Sequence, residues 1–128
     1  MGKIEVSQVP SDKNLTPDKG WMNMDLKWLV SEENGSKHIT VGRTLFAPGR
    51  ASKHALHRHN DAEEVIIVLQ GQGNSIVNGE TTPMGPGDVC YIPQGAPHSF
   101  ENASDDKTCE LIFVYSAPSL EKAGYEVL

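Results

Sequence analysis

The segment HRHNDAEEVIIVLQG, residues 57–71, joins two histidines to an acidic pair and then to an apolar run that closes on glycine. On an extended chain, side chains two apart share a face, so His57 and His59 point the same way. Residues 65–69 are aliphatic at every position, and residues 111–115 are apolar throughout in the same way. An antiparallel strand with one face in water alternates apolar with polar. These two do not, so both of their faces are covered. One face then lines an interior. The other is covered by a second sheet, by the N-terminal arm or by another subunit, and on that ground the chain is expected to form a homodimer.

Outward from this segment, short β-compatible runs recur at 24–30, 38–47, 55–59, 64–70, 74–78, 89–92, 98–101 and 108–116. Turn chemistry separates them: Pro48-Gly49, Gly71-Gln72-Gly73, Asn78-Gly79, Pro86-Gly87-Asp88 and Pro93-Gln94-Gly95. Asn78-Gly79 predicts a type I′ hairpin. Twelve glycines and eight prolines in 128 residues suit many tight turns better than a helical bundle. Eight short strands so spaced predict an all-β sandwich or barrel in one domain. Residues 1–20 read as an N-terminal arm, 21–116 as the barrel, and 117–128 as a C-terminal arm with a short helix from Ser119.

Composition narrows the function. Hydrophobic residues make up 38% and charged residues 22%, which excludes a disordered chain. The formal net charge of −6 has the wrong sign for binding phosphate backbones, so no nucleic-acid partner is expected. A five-residue aliphatic run cannot span a bilayer. Residues 1–13 lack a signal-peptide core, and Val6 breaks the myristoylation pattern. Cys90 and Cys109 form no CxxC and are too few for a disulfide framework, so both read as reduced, packed thiols. Cytoplasmic residence is the expectation.

Five histidines remain: His38, His54, His57, His59 and His98. Imidazole and carboxylate suit a divalent first-row transition metal. His57 and His59, with Glu64 five residues on and His98 on a later strand, would build such a site. Spacing alone leaves ordinary surface or core histidines equally open.

The motifs are more specific than the spacing. His57-Arg58-His59, four residues, Glu64, six residues and Gly71 resemble the first motif of the cupin superfamily. Gly87, five residues, Pro93-Gln94-Gly95, two residues, His98, three residues and Asn102 resemble its second. The resemblance covers residues 49–102 by motif. It implies a double-stranded β-helix, or jelly-roll, barrel with a metal held by His57, His59, Glu64 and His98. The six-residue step to Gly71 selects Glu64 over Glu63. Ile66 and Val68 would then face inward, with Val65, Ile67 and Leu69 outward. Asn102 reads as a turn former, and its sequon with Ser104 as coincidence. One departure stands out. Ala51 occupies a position where the family usually has glycine, and Pro48-Gly49 come two residues earlier. The connecting loop therefore reads as lengthened, with His54 inside it, either exposed or serving as an acid or base at the barrel mouth. His38 reads as a surface residue.

Three neutral imidazoles and one carboxylate around a divalent ion carry a charge of about +1 and leave coordination positions open. With iron the expectation is a dioxygenase. With manganese, nickel, cobalt or zinc it is a Lewis-acid isomerase, lyase or decarboxylase acting on a carbonyl or sugar-like substrate. A non-catalytic small-molecule-binding module is the remaining class. Phe46, Ile66, Val68, Phe100 and Phe113, with Met84 as a neighbour, are the candidate pocket wall. Tyr115 and His54 are the candidate acid–base groups, and Arg43 a candidate anion site. Some cupin lyases carry Tyr two residues after the ligand Glu, where this chain has Ile66.

Overall fold

In the computed structural model, which describes residues 2–128, two antiparallel sheets face each other. The strands are β1 (Trp21–Met22), β2 (Met24–Val30), β3 (Thr40–Phe46), β4 (Lys53–His59), β5 (Glu64–Gln70), β6 (Gly73–Val77), β7 (Glu80–Met84), β8 (Val89–Ile92), β9 (His98–Asn102), β10 (Cys109–Tyr115) and β11 (Tyr125–Val127). One turn of helix, α1 (Leu120–Ala123), precedes β11. The first sheet runs β1-β4-β9-β6-β7, with β11 also paired to β4; the second runs β2-β3-β10-β5-β8. The chain is all-β and forms a jelly-roll barrel. No helix among the described residues is long and apolar enough to cross a membrane.

The period-2 rule places the core. Along β5, Glu64, Ile66 and Val68 are buried and Leu69 is exposed. Along β10, Cys109, Leu111, Phe113 and Tyr115 are buried, with the residues between them partly exposed. These side chains meet Phe46 of β3 and Phe100 of β9 in one core cluster. Two rings need a glycine opposite them. A Cβ on Gly42 would overlap the ring of Phe113, and one on Gly73 the ring of Phe100. Both glycines are therefore shaped by packing, in strands that elsewhere prefer side chains.

The turn at Asn78-Gly79 joins β6 to β7, with Val77 opposite Glu80 and both central residues at positive φ, as a type I′ turn requires. Asn102 is fully buried. Its amide nitrogen donates to the carbonyls of Ala47 and Lys107, and its oxygen accepts from the Ser104 amide. It therefore ties two loops to the barrel, a stronger role than forming a turn.

Three strands lie outside the sequence reading. Strand β7 contains Pro83, which lacks the ladder donor and is tolerated because β7 pairs only with β6 at the sheet edge. The other two, β1 at the start of the segment read as barrel and β11 in the C-terminal arm, both pair with β4. The reading of His54 as a loop residue is corrected: it lies on β4, opposite Trp21 on one side and Phe100 on the other.

Candidate metal centre

Each of the four clustered residues has a structural reason for its position. His57 and His59 sit at alternate positions near the end of β4, Glu64 opens β5, and His98 opens β9. His98 is the register partner of His57. All four are buried, and one potential ligand atom from each lies within 4.8 Å of the others. The cluster could hold a metal ion. Glu63 points away from it and accepts a hydrogen bond from Tyr91 on the outer surface.

Hydrogen bonding orients two of the rings. His57 Nδ1 lies 2.7 Å from the Ala55 carbonyl and His98 Nδ1 lies 2.9 Å from the Ala96 carbonyl. A carbonyl only accepts, so in each ring Nδ1 carries the proton and Nε2 is left with a lone pair. Metal-bound histidines are commonly held this way.

The donor set calls for a cation. His98 Nε2 stands 3.0 Å from Glu64 Oε1, and His59 Nε2 stands 3.3 Å from the same oxygen. With its one proton committed to Ala96, a neutral His98 would face a carboxylate acceptor to acceptor. Both ring nitrogens of His59 are buried without a hydrogen-bond partner, a costly state unless something else uses them. Donors about 2.1 Å from a common ion and at right angles to each other stand about 3 Å apart. The separations here match that figure, so the four residues fit a divalent transition metal.

Titration shifts agree with this picture. Burial pushes the Glu64 carboxyl up, but the adjoining His59 and His98 rings outweigh it and hold it at about 2. Burial, reinforced by His54 and His98, holds His57 well below the ordinary imidazole value. His54 is lowered well below it too, by burial first and then by His98 and His59. Burial, with Glu64 and Tyr125 adding to it, raises the Tyr115 phenol well above its usual value.

The remaining candidates separate by place. A cavity of about 20 Å³, room for roughly one water, borders Glu64 and is lined by Phe46, His54, Ile66, Phe100, Phe113 and Tyr115, with Leu26 and Leu111 among its other neighbours. Val68 is fully buried elsewhere in the core, and so is Met84. Tyr115 is the register partner of Glu64, and its ring packs 4.6 Å from that of His59. Arg43 does not line that cavity and points outward, where Asp25 and Glu110 at 3.2 and 3.1 Å pair with its guanidinium. His38 is exposed.

Sequence reasoning missed Trp21 and Tyr125. Tyr125 packs 5.1 Å from His57 and 5.8 Å from His59, and stacks on Trp21 at 4.8 Å. The only signal was two large aromatics, Trp21 at the first position of the segment read as barrel and Tyr125 in the segment read as a C-terminal arm.

Comparison with known proteins agrees with the geometry. The cupin domain family model matches residues 42–115. An oxalate-binding protein of Thermotoga maritima is 33% identical over 110 residues, covering 80% of this chain and 89% of its own length. A quercetin 2,3-dioxygenase of Bacillus subtilis is 37% identical over 60 residues, 47% of this chain but only 18% of that enzyme. Among solved structures, a predicted oxalate decarboxylase of Thermotoga maritima superposes with a TM-score of 0.76 at 26% identity, covering 90% of this chain and 98% of that one.

Proposed function

The chain belongs to the cupin domain family, and from that premise we propose that it is a metal-dependent enzyme acting on a small organic molecule. The observation that carries the proposal is the convergence of His57, His59, Glu64 and His98 on one buried point, with a carboxylate oxygen 3.0 Å from an imidazole lone pair. When bound there, iron would supply dioxygenase chemistry, and manganese, nickel, cobalt or zinc would supply Lewis-acid polarisation of a carbonyl. Glu64 offsets part of the ion's charge, and the Ala55 and Ala96 carbonyls hold His57 and His98 in the ligating tautomer. Phe46, Ile66, Phe100 and Phe113, backed by Val68, keep water from the inner side and admit only a small ligand. Tyr115 keeps its proton at neutral pH and can donate it as a hydrogen bond, while His54 is the complementary acceptor. Anaerobic loading with iron, then dioxygen-uptake measurements with catechols, β-diketones and thiols, tests the oxidative form. Turnover of carbonyl substrates with manganese or zinc tests the other.

The relative named as an oxalate-binding protein supports a second reading, a cupin that binds a small acid without turning it over. Ligand binding to the metal-loaded protein with no product in either assay would favour it.

We also propose a homodimer. On the outward face of the second sheet, Tyr91, Val65, Val114 and Val41 form one apolar row, and Val89, Ile67 and Ile112 begin a second that ends at Arg43. Val89 and Tyr91 are 61% and 55% exposed. The first sheet packs on the inner face, and the N-terminal arm bonds to β2 through Asp12 and Leu26. A second subunit is the cover proposed for these rows. The unpaired Cys90 and Cys109 support residence in a reducing cytoplasm.

A further inference from the structure

His54 is held by contacts that the four clustered residues do not need. Its Nε2 lies 2.8 Å from the Tyr125 hydroxyl, and that hydroxyl lies 2.6 Å from the main-chain oxygen of Lys19. A phenol has one proton and a carbonyl can only accept, so the proton of Tyr125 goes to Lys19. The phenol oxygen must then accept from His54, which places the imidazole proton on Nε2 and leaves Nδ1 bare. Nδ1 has no hydrogen-bond partner among the described residues, nor is it among the buried atoms that lack one. The ring stacks on Trp21 at 5.4 Å and on His57 at 3.7 Å, and it borders the cavity beside Glu64. Gly20 makes the clasp possible, because a Cβ there would stand 2.8 Å from the Tyr125 oxygen.

We propose that His54 is a specificity-determining residue. Its Nδ1 accepts a hydrogen bond from the hydroxyl of a small α-hydroxy acid held at the four-residue centre, and Tyr125 is the positioning residue that fixes the tautomer. The inference rests on the metal-binding reading above. A carboxylate suits a centre with a charge of about +1. The neighbouring hydroxyl supplies the donor that Nδ1 lacks. Oxalate brings only acceptor oxygens, and its lone pairs would face that of Nδ1.

The test compares glycolate with oxalate, chelators of nearly equal size that differ in this one donor. Their affinities are measured by calorimetry on the manganese-loaded wild type, His54→Phe and Tyr125→Phe. His54→Phe is expected to weaken glycolate about tenfold, the worth of one buried hydrogen bond, with oxalate unchanged or tighter. Tyr125→Phe is expected to weaken glycolate severalfold, because the ring is then free to flip its proton. In the metal-free protein, nitrogen NMR should show the His54 proton on Nε2 in the wild type and on both nitrogens in Tyr125→Phe. Equal losses for both acids, or a wild-type proton on Nδ1, would overturn the proposal while leaving the metal reading intact. A wild type that takes up no manganese would overturn both.

Discussion

The rings of His54 and His57 lie face to face, with centroids 3.7 Å and planes 19° apart, although three positions separate them along β4. Regular alternation would put them on opposite faces. The pairing of β4 with β9 explains the contact: His54 is opposite Phe100 and His57 opposite His98, so three steps on β4 match two on β9. That is a β-bulge, and it turns His54 onto the face that carries the cluster.

Packing imidazoles this closely makes the metal-free protein acid-sensitive. Burial lowers His54 and His57 well below their ordinary value, which is about 6.5 in an unfolded chain. Below that pH the unfolded chain binds protons that the native state refuses, so stability falls as pH drops, by up to about 1.4 kcal/mol per group per pH unit. Glu64 adds a loss of the same sign at lower pH. Its contribution is present above about 4.3 and disappears as pH falls toward its native value of about 2. Urea midpoints of the metal-free protein should be lower at about pH 5.5 than at about pH 7.5. An equal or higher midpoint would contradict the assignment.

Removing a ligand should remove the metal. Altering residues that merely orient metal ligands typically costs about 10- to 100-fold in affinity, so His57→Ala and His98→Ala, each deleting a bond, should cost more. Glu63→Gln, on the outer surface, should leave affinity unchanged. Metal titration of the three variants checks this, and a His57→Ala protein with full affinity would refute the ligand set.

The apolar rows on the second sheet predict a particle of twice 13.9 kDa by light scattering. Val89→Lys places a charge on that face at a position already exposed in one subunit, so it should give monomers without loss of fold. Wild-type protein that is monomeric at micromolar concentration would exclude the dimer.

Much of this architecture could be read from the chain. Six of the runs named from alternation and turn residues match observed strands to within one residue at each end, and the six-residue step to Gly71 distinguished Glu64 from its neighbour. The His54 geometry could not be read, because a bulge is set by which residues of β9 pair with β4, and period-2 counting along one strand does not contain that. Tyr125 was hidden for another reason. Strand β11 has three residues, too few to show a period, and forms because it can pair with the edge of β4. Arg43 shows the converse: its residue type suggests anion binding, but its odd position on β3 turns it outward to Asp25 and Glu110.

Both the enzymatic and the binding role proposed for this chain depend on a cation held by His57, His59, Glu64 and His98. Elemental analysis of untagged protein, purified without air and without added chelator, tests it directly. About one divalent transition-metal ion per chain is the predicted result, with iron pointing to oxygen chemistry and manganese, nickel, cobalt or zinc to Lewis-acid chemistry. Protein that carries no metal and binds none when titrated would contradict it.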